Sequence, residues 1–221
     1  MKYTRLGNSE LNVSRICMGC MGFGDAEKGQ HSWTLDEEHS REIIKHGLEL
    51  GVNFYDTAIA YQSGTSEQFI GRALRDFAKR DEVVVATKFL PRTADDIEKG
   101  IGGQKHIENM INASLRNLGM DYVDLYIYHM WDWQTPLYDI MEGLNNIVKA
   151  GKARYIGISN CFAWQIAKAN KGPGTDYGRV QFCPVGVYTI MEVKVGQGSK
   201  AGWGRLKSGI GFISLDFVQK L

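Results

Sequence analysis

Five short apolar runs recur along this chain at intervals close to the length of one strand plus one helix. They occupy residues 13–17, 52–55, 83–86, 123–128 and 153–158, with starts 39, 31, 40 and 30 residues apart. Each is apolar almost throughout and rich in β-branched and aromatic residues. That is the pattern of strands buried on both faces, so a parallel sheet is expected. Repeats of this length are βα units. Ahead of them, residues 2–6 and 11–13 flank a Gly7-Asn8-Ser9 turn and read as a small hairpin.

Helical patterns with readable ends fill the intervals. Thr34 and Glu37 have capping-box spacing, and their helix is expected to stop at Gly51. Over 66–77, Phe69, Ile70, Ala73, Leu74 and Phe77 share a face. Met110, Ile111, Ser114, Leu115 and Leu118 form a stripe ending at Gly119. Thr135 reads as a cap with Pro136 at the first helical position, leading a helix that runs to Gly151. A fifth helix is expected after Asn160, carrying Trp164, Ile166 and Ala167.

After Asn170 the rhythm stops at Lys171-Gly172-Pro173-Gly174. Residues 171–221 hold 10 of the 26 glycines. They carry 7 basic and 3 acidic side chains, against 19 and 22 over 1–170. Segments 180–188 and 189–195 are strand candidates, and 213–221 is a weak helix candidate. The expected organisation is a parallel α/β part over 1–170 and a Gly-rich basic tail over 171–221, with a sixth strand and irregular structure.

Composition excludes several classes. At 221 residues and 43% hydrophobic the chain is globular. Its net charge of +1 offers no basic excess for a nucleic-acid partner. No apolar run approaches the ~20 residues of a membrane helix. Four cysteines without a signal peptide do not make a disulfide framework, so the cytoplasm is the expected compartment. Cys17-Met18-Gly19-Cys20 has no second pair and reads as core, not as a metal site. Gly22-Phe23-Gly24 is too far from a helix start for a Rossmann fingerprint.

In parallel α/β proteins, function gathers at the carboxyl ends of the strands. Strand 2 ends in Asp56, with Tyr61 five residues on; strand 3 ends in Lys88, strand 4 in His129, and strand 5 in Ser159 and Asn160. Singly, these are a loop acid, a half-buried aromatic, a solvated lysine and a satisfied core histidine. Jointly they make a chemical set. A phenol is a weak acid with an ordinary pKa of about 10. An ammonium nearby stabilises its phenolate, a carboxylate holds that ammonium, and a histidine can donate a hydrogen bond to a carbonyl oxygen as charge develops. This suits carbonyl reduction by a hydride that only a cofactor can supply.

Several motifs in the correct order resemble the aldo-keto reductases, with an opening similar to the bacterial branch of that family. They are Tyr3-Thr4-Arg5-Leu6-Gly7; Gly51-Val52-Asn53-Phe54-Tyr55-Asp56-Thr57-Ala58 with Tyr61, Gly64, Ser66-Glu67 and Ile70-Gly71; Ala86-Thr87-Lys88; Asp121-Tyr122-Val123-Asp124-Leu125-Tyr126 into His129; and Gly151-Lys152-Ala153-Arg154-Tyr155-Ile156-Gly157-Ile158-Ser159-Asn160. The likeness covers residues 1 to about 170. It implies a (β/α)₈ barrel of TIM type whose bottom is closed by the hairpin, and an oxidoreductase reducing a small aldehyde or ketone with NADPH, less often NADH. By the same resemblance Tyr61 is the general acid, Lys88 and Asp56 tune it, and His129 polarises the substrate carbonyl. Ser159, Asn160 and Asp56 hold the nicotinamide end, and Gln181 stands for the glutamine ending strand 6. Trp131, Trp133 and Phe23, with Trp33, are candidate walls of the substrate pocket. No metal is implied.

Eight units close such a barrel and five are present. An open parallel sheet exposes edges and an inner apolar face. Instability or self-association through the incomplete barrel is therefore expected, as is a coding sequence disrupted near Asn170. The alternative function is a catalytically impaired remnant that binds cofactor weakly.

Overall fold

A computed structural model describes residues 1–170 and the backbone of three short strands after them. Strands β1 (Tyr3–Arg5) and β2 (Asn12–Ser14) form an antiparallel hairpin. There follow β3 (Met18–Gly19), α1 (Glu37–Glu49), β4 (Phe54–Asp56), α2 (Thr65–Phe77), β5 (Val84–Phe89), the one-turn α3 (Ala94–Glu98), α4 (Gly103–Leu118), β6 (Val123–Tyr128), α5 (Leu137–Lys149), β7 (Ala153–Ile158) and α6 (Ala163–Asn170). Strands β3 to β7 make one five-stranded sheet in sequence order, every pair parallel. This is five consecutive βα units of a barrel.

Both faces of the central strands β5 and β6 are covered, every residue of each being buried, which is why they read as continuous apolar runs. Along β5 and β6, alternate residues serve different cores. Val85, Tyr126 and Tyr128 pack toward the helices with Ile70, Leu74, Ile111, Leu118 and Ile147. Val84, Ala86, Leu125 and Ile127 pack on the other face with Leu11 and Val13 of the hairpin. Glu10 N donates to Tyr155 Oη at 3.0 Å, tying the hairpin to β7. Asp124 is 1% exposed and accepts from Arg80 at 2.8 Å, Arg154 at 3.1 Å and Val85 N at 3.0 Å, joining β5, β6 and β7.

The structure shifts several sequence expectations. The run at 13–17 is not one strand. Ser14 Oγ donates to Ile16 O, the chain bends there, and the first strand of the sheet starts at Met18. Helix α1 is capped by Asp36, whose carboxylate accepts from His39 N at 3.0 Å, so Thr34 and Glu37 form no capping box. Pro136 sits at the N-cap of α5, not inside it, and Thr135 is held by Asp132 instead of capping. Three further strands, β8 (Ile190–Lys194), β9 (Trp203–Leu206) and β10 (Phe212–Ser214), form a separate antiparallel sheet. Thus β8 adds no sixth strand to the parallel sheet, and Ile213 and Ser214 begin no helix. The strand candidate at 180–188 lies outside the described residues.

Candidate active site

The carboxyl ends of β4, β5 and β6 bring four side chains together. Lys88 is a buried cation, 4% exposed, next to the last residue of β5. Its Nζ lies 2.9 Å from both carboxylate oxygens of Asp56, with hydrogen-bond geometry to Oδ2. It also donates to Thr57 O at 2.8 Å and Tyr61 Oη at 3.2 Å. The ammonium thus has three oxygen partners, which a buried charge requires. Burial raises the Asp56 pKa, while the Lys88 charge opposes that rise. Tyr61 enters from the turn after β4, its ring edge-on to His129 with centroids 6.0 Å apart.

His129 follows β6 directly, its N–H donating to Phe89 O at 3.0 Å. Burial lowers its pKa to about 4, helped by the Lys88 charge, so the ring is neutral near pH 7. Its Nδ1 is buried and has no partner among the described residues. A folded-state pKa below the ordinary 6.5 means the unfolded chain binds the extra proton first. The stability tied to neutral His129 is complete above about pH 6.5 and is lost as pH falls toward 4. Urea midpoints should therefore drop less between pH 7 and pH 4.5 in His129→Asn than in the parent chain; equal drops would contradict a buried neutral ring.

At the end of β7, Asn160 adopts a left-handed backbone, φ 48°. Its Nδ2 donates to His129 O at 2.8 Å and to Ser159 Oγ at 3.0 Å. Among the described residues nothing donates to Asn160 Oδ1. A hydroxyl and a free amide oxygen at this rim match a primary carboxamide, which both donates and accepts. The nicotinamide end of the cofactor that the resemblance implies would therefore fit the residues present.

The aromatic candidates separate. Trp133 is 73% exposed and, with Arg92, Ile97, Asp132 and Thr135, lines an open cleft of about 300 Å³ beyond β5 and β6. Trp131 instead borders a crevice against Tyr128, Leu137 and Ile140, over the packing of α5 on the sheet. Phe23 is 5% exposed and belongs to the main core cluster, so packing accounts for it. Trp33 is exposed and rests on His31. Gln181 lies outside the described residues. Cys20 is a core residue whose thiol is pushed well above its ordinary pKa by burial. Among the described residues no group of three or more His, Cys, Asp or Glu could hold a metal, and no helix is long and apolar enough to cross a membrane.

The turn carrying Tyr61 also contains a residue that sequence reading missed. Gln62 is 1% exposed and has a left-handed backbone, as does Ser63. Two consecutive non-glycine residues in that conformation leave no compositional trace. The glycines at 24 and 29, which make room for Gln62, were the available signal.

A family model described as the aldo/keto reductase family matches residues 15–192. The match spans every residue of the cluster just described. The chain belongs to the aldo/keto reductase family. It is 37% identical over 183 residues to a versiconal hemiacetal acetate reductase of Aspergillus parasiticus, covering 75% of this chain and 52% of that protein. It is 34% identical over 172 residues to an NADP(+) aryl-alcohol dehydrogenase of Phanerodontia chrysosporium, covering 72% and 44%. Among solved structures, an aldo-keto reductase from Bacillus halodurans in its holo form superposes with TM-score 0.64 at 32% identity, covering 82% of this chain and 55% of that one. The chain spans about half the length of the curated relatives it matches. Their family fold is the TIM barrel, of which β3 to β7 and their helices are a part.

Proposed function

We propose that this aldo/keto reductase chain carries the proton-delivering side of an NADPH-dependent reduction of a small aldehyde or ketone to the alcohol. One observation carries the reading: a buried ammonium, fixed by Asp56 and Thr57, sits 3.2 Å from the phenol oxygen of Tyr61, beside a neutral histidine whose Nδ1 has no partner among the described residues. A bound reduced nicotinamide supplies the hydride. The phenol of Tyr61 gives its proton to the carbonyl oxygen as negative charge builds there. The Lys88 ammonium stabilises the phenolate left behind, which regains a proton from solvent. Neutral His129 donates a hydrogen bond to the same oxygen and orients the carbonyl. Ser159 and Asn160 hold the carboxamide. The name of the Phanerodontia chrysosporium relative supports NADP and an aryl substrate. Among the described residues Cys17, Cys20 and Cys161 form no disulfide, which suits the reducing cytoplasm in which we place the protein.

The purified chain should be titrated with NADPH while cofactor fluorescence is followed, with NADH in parallel. Saturable binding, tighter for NADPH, is expected. No binding at high micromolar cofactor would contradict the reading and favour an impaired remnant.

A further inference from the structure

The segment between β3 and α1 closes on itself. Leu35 N donates to Gly22 O at 2.8 Å and Gly24 N donates to Leu35 O at 3.1 Å, so the ends of a 14-residue loop meet. Compact loops of this kind are usually filled by their own side chains. This one is filled by Gln62. The Nε2 of Gln62 donates to Asp25 O and His31 O, both at 2.9 Å, and its Oε1 accepts from His31 N at 3.0 Å. A Cβ on Gly24 would lie 2.7 Å from the Cβ of Gln62, and one on Gly29 would strike the Gln62 amide, so both glycines make room for it. Thr65 completes the tie, donating to Gln62 O at 2.7 Å and accepting from Asp25 N at 2.9 Å.

The backbone of Gln62 is left-handed, φ 46° and ψ 47°, and Ser63 repeats it at φ 53°. Residues with a Cβ avoid this conformation unless their surroundings hold them in it. Here the loop holds both, because Ser63 Oγ also donates to Lys28 O at 2.5 Å. Tyr61 shares a peptide bond with Gln62. A return of Gln62 to the right-handed region would swing that peptide and carry the phenol away from Lys88.

We propose that Gln62 is a positioning residue: its amide, plugged into the loop, holds a left-handed turn that keeps Tyr61 on Lys88. The proposal rests on the functional reading only for its effect on turnover. Two kinds of substitution separate the backbone from the side chain. Gln62→Ala loses the loop bonds and resists the left-handed turn. Gln62→Gly loses the same bonds but accepts the turn freely, and Gln62→Asn, another residue tolerant of it, should follow glycine.

Full-length chains labelled with ¹³Cζ-tyrosine serve as the test, the Tyr61 resonance being assigned by its loss in Tyr61→Phe. Tryptic cleavage after Lys28 reports release of the loop. All three variants should be cleaved faster. Gln62→Ala should displace the Tyr61 resonance, while Gln62→Gly and Gln62→Asn leave it near its parent position. A misplacement of about 1 Å costs about 10²-fold, so kcat should fall about that much in Gln62→Ala, with at least about tenfold recovered in Gln62→Gly. If alanine fails to fold, the proposal stands or falls on whether Gln62→Asn keeps the resonance and most of kcat once the loop is cleavable. An unmoved resonance in Gln62→Ala, or equal displacement in all three, overturns the proposal. Absence of turnover in the parent chain overturns the functional reading instead, and the resonance still decides the role of Gln62.

Discussion

Tyr61→Phe should lose nearly all aldehyde-dependent oxidation of NADPH, a fall of about 10²–10⁴-fold in kcat, the usual contribution of a positioned acid. The substitution removes one oxygen. That oxygen accepts from Lys88 at 3.2 Å, the longest of the three bonds made by the ammonium, so Asp56 and Thr57 still hold the charge. The phenylalanine ring keeps its edge contact with His129 and its place beneath the ammonium, which lies 4.8 Å from the ring centroid. Stability should therefore change by no more than about 1 kcal/mol, the scale of one hydrogen bond. NADPH affinity should stay within about twofold, since the proposal assigns the carboxamide to Ser159 and Asn160 rather than to Tyr61, and 1.4 kcal/mol would be needed for tenfold. Retained turnover with an intact fold would remove Tyr61 from the acid role. The readouts are steady-state rates, a cofactor titration and a urea melt on the same preparation.

Gly71→Ala should be the most damaging small substitution in the fold. In an exposed helix, alanine in place of glycine stabilises by up to about 1 kcal/mol. At this site the sign reverses. Gly71 lies on the buried face of α2, where that helix crosses α4. A Cβ there would sit 2.7 Å from Leu118 Cα and closer still to its carbonyl group. These are backbone atoms at the end of α4, where Gly119 is already committed to a left-handed cap at φ 63°. No rotamer change relieves such a clash, so the two helices must separate and open the packing of Ile70, Leu74, Ile111 and Leu118. Overpacking costs typically 1–3 kcal/mol, and about 3 kcal/mol is expected here because rigid backbone is struck. A urea unfolding curve checks it. An unchanged midpoint would mean that α2 and α4 do not cross as closely as described.

The parallel sheet was legible because burial on both faces leaves unbroken apolar runs, and β5 and β6 are those runs. The helices were legible by face, less so by their starts. Asp36 rather than Thr34 caps α1 because its carboxylate, two residues closer to the helix, reaches His39 N. Asp132 removes Thr135 from capping by taking its hydroxyl and its N–H. The first sheet strand has only two residues, Met18 and Gly19, too short for any period. The site was legible for a different reason. Asp56, Lys88 and His129 stand at or just past the ends of readable strands, so strand order alone sets them side by side. Gln62 was not legible, because its role depends on a left-handed backbone and on bonds to carbonyls 31 and 37 residues away. Nor could sequence separate Trp133, at an open cleft, from Trp131, against α5: two positions apart in an irregular loop, nothing in their spacing fixes which way each turns.

The most direct measurement is turnover itself. The purified 221-residue chain, saturated with NADPH, should be given a simple aromatic aldehyde and the loss of reduced cofactor followed. Aldehyde-dependent oxidation that Tyr61→Phe abolishes is the predicted result. Binding of NADPH with no aldehyde-dependent oxidation, or oxidation indifferent to Tyr61, would contradict carbonyl reduction through the Asp56, Tyr61, Lys88 and His129 cluster.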